Sequence, residues 1–377
     1  MKIGLIGDPH IGNHKIFGNS GSGPEVPWSP TPGLNTRAQY CLKALCWAFE
    51  QCVENYVSKV CILGDMIHNF GVLSAPIIEG VHKLITHSQV LGVKVYMLAG
   101  NHDIDGNGVS ALRAFEKKNF ITCNEPEFIH TGPNIGVIPY LWTLDDPTFL
   151  KAIDTLDRSL DVLLTHAHIK GAVHGSHEFR PSGGLSPSSF SGQVFSGHYH
   201  KWQQVGDRAT YTGALLQHNF GEEDYTPGFV IWNSIKPSQH KFITTPADIA
   251  PRFYSVDYDE TDIPGRFEDD YYRILVPADV DIKEVRSIKQ KLRNSKVVTV
   301  PISSEVRSRV LEYFDTRESD CLDDGGHIDD EESGSSARIT LEDVMEAYAF
   351  INTDNEDRAD RLLELGHDII TAVSSRG

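Results

Sequence analysis

Five short segments rich in histidine and carboxylate punctuate the first 200 residues. They are Asp8-Pro9-His10, Gly64-Asp65 with His68, Gly100-Asn101-His102-Asp103, Thr165-His166-Ala167-His168 and Gly197-His198-Tyr199-His200. Imidazole nitrogens, carboxylates and an amide oxygen are ligands for divalent cations. The absence of thiolate from the set favours manganese, iron or zinc over a structural cysteine-type zinc. Two such cations about 3.5–4 Å apart can clamp the attacking and leaving oxygens of a phosphoester displacement. That arrangement needs one carboxylate able to bridge both ions. Asp65 is the natural bridge, because Gly64 lets the backbone turn closely after a strand. Asp8 and His10 sit two apart, so on an extended strand end both would point the same way, and His198 and His200 repeat the spacing. Asn101 offers an amide oxygen and His166 a further imidazole. His168 and Asp103 are expected as supporting neighbours.

Something must bring these segments together. Each follows a short apolar run that reads as a β-strand, and strand ends at the carboxyl edge of a sheet are where α/β folds place their chemistry. Lys2–Gly7, Lys59–Leu63 and Val93–Leu98 are such runs. Between them, Arg37–Val57 and Ala75–Leu91 carry apolar residues at helical spacing. After Ile121 strands dominate: Asn134–Ile138, Asp161–Thr165, Gln193–Ser196, Ala209–Thr212 and Gly228–Trp232. The expected fold is α/β, a sandwich of two mixed sheets flanked by helices. The Pro- and Gly-rich stretch Asn13–Asn35 interrupts the plan. It reads as a surface insertion, with a loop over the site as the alternative.

The expected organisation is a catalytic domain over 1–250, a small β-α-β accessory domain over 251–314, an acidic linker over 315–338 and a helical tail over 339–377. Tyr271–Pro277 and Lys296–Ile302 supply the accessory strands, and Asp281–Arg293 its helix. The net charge of −18 is concentrated late: residues from Asp315 onward hold 18 acidic and 5 basic side chains. The acidity therefore says little about the catalytic face. No apolar run is long enough to span a bilayer, and the N-terminus does not read as a secretory signal. The six cysteines form no CxxC pair, as in a reduced cytoplasmic protein. His174 and His177 read as surface residues. His218 stands open between a structural and a site role, and Trp28, Trp142 and Trp202 read as packing rather than base stacking.

The order D-x-H, G-D-x-x-H, G-N-H-D, H-x-H, G-H-x-H resembles that of the calcineurin-like metallophosphoesterases. Within them, Gly64-Asp65-Met66-Ile67-His68 is similar to the SbcD-type nuclease subunits that work with an SMC-like coiled-coil ATPase. The protein phosphatases instead place an acidic–basic pair after the Gly-Asp. Tyr211–Glu222 also resembles a segment of that branch, with Ala214-Leu215 where the family has Ser-Pro. The likeness is strong over Met1–Pro246. It implies one metal on Asp8, His10, Asp65 and His200, and a second on Asp65, Asn101, His166 and His198, with manganese the expected ion. It makes His102 the catalytic acid, His68 a second functional histidine and Asp103 the residue that orients His102. It implies a DNA nuclease with 3′-to-5′ exonuclease and single-strand endonuclease action in repair, recombination or replication, of bacterial or bacteriophage form. DNA, the ATPase bound through the tail, and a second copy in a homodimer are the implied partners; a membrane is not. The alternatives are a small-molecule or nucleotide phosphodiesterase and a non-catalytic adaptor for an ATPase.

Overall fold

The computed structural model describes residues 1–13, 23–28, 31–130, 133–156, 160–173, 184–190, 192–236, 239–258, 270–277, 292 and 294–300. The linker, the tail, His174, His177 and nearly all of the expected helix at Asp281–Arg293 lie outside the described residues, as does part of the Asn13–Asn35 insertion.

Two six-stranded mixed sheets face one another. The first contains β1 (Lys2–Ile6), β2 (Lys59–Leu63), β3 (Lys94–Leu98), β4 (Phe120–Cys123), β11 (Gly228–Asn233) and β12 (His240–Thr244), in the order β12-β11-β1-β2-β3-β4. β1 to β4 run parallel; β11 and β12 add antiparallel edges. The second contains β5 (Glu127–His130), β6 (Asn134–Ile138), β7 (Val162–His166), β8 (Val194–Gly197), β9 (Gln203–Val205) and β10 (Ala209–Tyr211), in the order β5-β6-β7-β8-β10-β9. Its four central strands are parallel and its edges antiparallel. This is the expected two-sheet sandwich.

Alternation along each strand divides the core. Ile3, Leu5, Cys61, Leu63 and Leu98 of the first sheet pack against Ile135, Val137, Val162, Leu164 and Phe195 of the second. The opposite face of the first sheet, with Ile6, Val60, Ile62, Val95 and Met97, is covered by α1 (Thr36–Glu54) and α2 (Ala75–Val90). Parallel strands buried on both faces are near-continuously apolar, which is why they are legible in sequence. The Asn35 side chain caps α1 by accepting from the Ala38 N–H. Gly4 lets that helix approach β1, because a Cβ there would lie 2.6 Å from Cys52 Sγ.

Some elements escaped the sequence reading. β4, β5 and β9 have three or four residues, too few to display a period. α3 (Asp146–Thr155) buries only Phe149 and Ala152; its signal was the Asp145 N-cap followed by Pro147.

The chain divides into two compact units: Met1–Tyr254 with Gly265–Tyr271, and Ser255–Pro264 with the chain from Tyr272 onward. β13 (Phe253–Asp257), β14 (Tyr271–Pro277) and β15 (Asn294–Val300) form a three-stranded sheet in that order. β15 begins two residues before the expected strand. No helix among the described residues is long and apolar enough to cross a membrane. Cys41, Cys46, Cys52, Cys61 and Cys123 are buried and unpaired.

Candidate metal centre

The carboxyl ends of β1, β2, β3, β7 and β8 come to one edge of the sandwich, and each delivers one histidine- or carboxylate-rich segment. The turns there are abrupt. Asp8 (φ 49°), His10 (φ 45°), Asp65 (φ 51°) and His198 (φ 91°) all occupy the left-handed region, which non-glycine residues rarely adopt. The expectation that Asp8 and His10 share an extended strand end is therefore wrong in its geometry. Side-chain alternation requires β dihedrals; here two left-handed bends, one at each residue, turn both side chains inward. Gly64 (φ 89°) behaves as expected: a Cβ there would collide with the His166 ring.

Among the described residues three groups bring their donor atoms within 4.8 Å of one another: Asp8, His10 and His200; Asp65, His166 and His198; and His10, His68 and His102, which shares His10 with the first and holds no carboxylate. In the first set, His10 Nε2 faces His200 Nε2 at 3.2 Å. In the second, His166 Nε2 lies 2.9 Å from Asn101 Oδ1, with His198 Nδ1 3.3 Å from the same oxygen. Asp65 Oδ2 faces both sets, 3.6 Å from His10 Nε2 and 3.4 Å from His166 Nε2. Asp8 Oδ2 is buried without a hydrogen-bond partner. Two opposed imidazole nitrogens, an orphaned carboxylate oxygen and a carboxylate between the halves fit a pair of divalent cations. They fit poorly with a closed network of hydrogen bonds.

The partners behind the ligands fix their orientation. His166 Nδ1 lies 2.8 Å from the Leu63 carbonyl, so it carries the proton and leaves Nε2 to the centre. His200 Nδ1 lies 2.7 Å from Glu222 Oε1, with the same result. His10 Nδ1 lies 3.4 Å from His68 Nδ1. The Asp8 Oδ1 atom accepts the His198 N–H at 2.8 Å, and Asp65 Oδ1 accepts the His102 N–H at 2.9 Å.

Charge divides the group. Burial raises the Asp8 carboxyl to about 6, although His200 and His166 oppose it. Burial also acts on Asp65, but His166 and His102 outweigh it and hold that carboxyl below the usual range. Burial, with the surrounding imidazoles of His102, His218, His200 and His68, holds His10 well below its ordinary value. For His166, burial is outweighed by Asp65, Asp8 and the Leu63 carbonyl, which raise it to about 9. For His200, burial is outweighed by Glu222, Asp8 and Asp65, again giving about 9. His10 and Asp65 are thus ready to bind cations, whereas His166 and His200 hold protons that a cation must displace.

His102 sits beside both sets. Its Nδ1 lies 2.8 Å from the His68 carbonyl, and its ring stacks 4.2 Å from Phe70, 5.5 Å from His68 and edge-on 4.7 Å from His10. Phe70 itself has φ 43°. The expectation that Asp103 orients His102 is corrected. Asp103 Oδ2 accepts the N–H groups of Gly100 (2.9 Å) and Met66 (3.3 Å), and Oδ1 accepts that of Ile67 (2.9 Å). Its carboxylate ties the loop after β3 to the loop after β2; the His68 carbonyl does the orienting. His168 lies beside the centre, its ring 6.4 Å from that of His198 and its Nε2 buried without a partner. Trp28 and Trp142 pack against the core, and Trp202 is exposed.

Three residues that sequence reasoning left without a settled role stand behind the centre. Glu222 supports His200. His218, left open, reaches the Asp8 carbonyl with Nε2 at 3.0 Å. Buried Arg37 donates to His218 Nδ1 at 3.1 Å. His218 and Glu222 had a weak signal, since both lie in the Tyr211–Glu222 segment; Arg37 had none.

Residues 1–202 match the family model described as calcineurin-like phosphoesterase. The chain belongs to that family. The calcineurin-like phosphoesterases hydrolyse phosphoesters with bound metal, and the converged donors are of the types this chemistry uses. Among curated proteins, the chain is 25% identical over 189 residues to protein 244L of Invertebrate iridescent virus 6, itself named only provisionally as a phosphoesterase. The match covers 46% of this chain and spans 64% of the viral protein's length. Among solved structures, a dimetal phosphatase from Danio rerio aligns with 65% of this chain and 99% of its own, at 10% identity and a TM-score of 0.36.

Proposed function

We propose that this calcineurin-like phosphoesterase is a metal-dependent phosphodiesterase acting on DNA, an SbcD-type nuclease. The observation that carries the hydrolase reading is the shared position of Asp65 Oδ2 between two donor sets. In this reading Asp8, His10, Asp65 and His200 hold one cation, and Asp65, Asn101, His166 and His198 the other, with manganese the expected metal. The two cations, when bound, supply Lewis-acid polarisation of the phosphate and a lowered pKa for the attacking water.

The protein's own residues do the rest. His102 is held through Nδ1 by the His68 carbonyl, which leaves Nε2 to bind a phosphate oxygen and to carry the proton to the leaving oxygen. Stacking on Phe70 restricts that ring to one plane. His68 supports the nuclease reading. It completes the Gly64–His68 motif and lies against both His10 and His102, so it can act on substrate placement as well as on the acid.

One observation favours a second reading, a small-molecule or nucleotide phosphodiesterase. The net charge is −18, and even outside the acidic tail there is no surplus of Lys and Arg to neutralise a polyanion. The full-length protein with manganese decides between them. Degradation of linear duplex or single-stranded DNA is expected. Cleavage of bis(p-nitrophenyl) phosphate or a cyclic nucleotide with DNA left intact, even beside an SMC-like ATPase, would establish the second reading. For the proposed partners, removal of Ile339–Gly377 should abolish co-elution with the ATPase on a sizing column. The same runs report whether the protein forms the proposed homodimer.

A further inference from the structure

Asp8 is a fully buried carboxylate on a left-handed backbone (φ 49°), with Oδ2 free of hydrogen bonds. Aspartate enters that conformation more readily than most non-glycine residues, yet still at a cost that its surroundings must offset. One side is accounted for by the His198 N–H on Oδ1. The backbone side is held by His218, whose Nε2 lies 3.0 Å from the Asp8 carbonyl oxygen.

That contact is a hydrogen bond only if Nε2 carries the proton. Neutral imidazole has two tautomers, and what the other nitrogen meets selects between them. Here His218 Nδ1 meets Arg37 Nη2 at 3.1 Å. A guanidinium has donors and no acceptor, so Nδ1 must accept and Nε2 must donate. Arg37 therefore sets the direction of a relay from guanidinium to imidazole to the Asp8 carbonyl.

The relay is itself fixed. Arg37 is fully buried in the first turn of α1, donates to the Gln217 carbonyl and lies 5.8 Å from the Phe253 ring. The His218 N–H donates to Glu222 Oε2 at 2.8 Å, and the other oxygen of Glu222 supports His200. Two of the three Arg37 nitrogens, Nε and Nη1, have no partner although buried. A buried cation left so incompletely satisfied opposes folding. Packing alone does not account for it.

Resting on the two-cation reading of the centre, we propose that Arg37 and His218 are positioning residues for Asp8. They hold its carbonyl, and hence the left-handed turn that aims Oδ2 at the first cation. His218 also meets the rings of His10 and His200, both of the first donor set, edge-on.

The test is manganese titration of the full-length protein, with affinity read for each of two ions. Glutamine can place its amide N–H near the Nε2 position, whereas asparagine reaches only the Nδ1 position. His218→Gln should bind both ions nearly as wild type. His218→Asn should weaken one ion about 10–100-fold and leave the other unchanged. Arg37→Met should weaken the same ion, and that effect should shrink in a His218→Gln background, where no tautomer needs selecting. A purely structural role predicts something else: a lower melting temperature for the metal-free protein, with the ratio of the two affinities unchanged. An unchanged ratio in both His218→Asn and Arg37→Met overturns the clamp while leaving the centre intact. Wild-type protein that binds fewer than two ions overturns both. If His218→Asn fails to fold, Arg37→Met measured alone and in the His218→Gln background separates the two roles by the same ratio.

Discussion

The two halves of the centre are built on different materials. The half around Asp65, His166 and His198 leans on backbone: the Leu63 carbonyl holds His166, and the His102 N–H holds Asp65. The half around Asp8, His10 and His200 leans largely on side chains from distant segments. Glu222 holds His200, His68 meets His10, and His218 reaches Asp8. A backbone support is a property of the sheet and survives any substitution that preserves the fold. A side-chain support can be removed by one codon. The Asp8 half is therefore where metal affinity can be tuned without disturbing the sandwich, and the Asp65 half is where it is fixed.

The largest expected effect ignores this division. Asp65→Ala removes the carboxylate that faces both halves, so phosphodiesterase activity should fall by about a thousandfold or more. Two-ion manganese binding should be lost with it. If the variant still binds two ions with wild-type constants, the halves are independent and Asp65 does not bridge them.

His102→Ala lies next. It should cost about 10²–10⁴-fold in kcat, the range of a general acid, while titration still shows one ion in each half. Loss of metal binding in this variant would move His102 from proton donor to ligand.

Glu222→Gln sharpens the comparison directly. The amide is nearly isosteric but loses the charge on His200 Nδ1, so one manganese should weaken about 10–100-fold and the other should not. Equal weakening of both would show that the side-chain-supported half is not separable.

Per unit step, the smallest effect is on pH. A cation binds only the proton-free imidazole, and His166 and His200, one in each half, are raised to about 9. Affinity in each half should therefore fall about tenfold per pH unit as pH drops below about 9. Asp8, raised to about 6, must also lose its proton. Below about pH 6 the Asp8 half should steepen to about a hundredfold per unit while the Asp65 half keeps its slope. Manganese titrations between about pH 5 and 9 check this, and identical slopes at low pH would contradict it.

Much of the candidate centre was legible because its donor residues sit directly after apolar strands. A parallel strand buried on both faces announces itself, and in an α/β sandwich its carboxyl end has one place to go. Asp8, His10, Asp65, Asn101, His166, His198 and His200 could thus be named from residue types and their place after those strands. The supports were not legible. Glu222 and His218 lie in a segment whose likeness to the family does not say what they touch, Arg37 lies in a helix pattern with no sign of the site, and Arg37 meets His218 across 181 positions of sequence. Asp103 misled for a related reason. It adjoins His102 in sequence, but the Gly100, Ile67 and Met66 amides converge on its carboxylate only after the loops of β2 and β3 are brought side by side.

Sequence alone decided the ligand types, their order and the strands that carry them, since hydrophobic pattern and residue chemistry are local properties. Tertiary structure alone decided that Asp8, His10, Asp65 and His198 bend through left-handed turns, and which side chains hold them there. A left-handed non-glycine residue is unfavourable by itself. Here contacts from remote parts of the chain, such as His218 on the Asp8 carbonyl, help to stabilise it, and no local pattern encodes them.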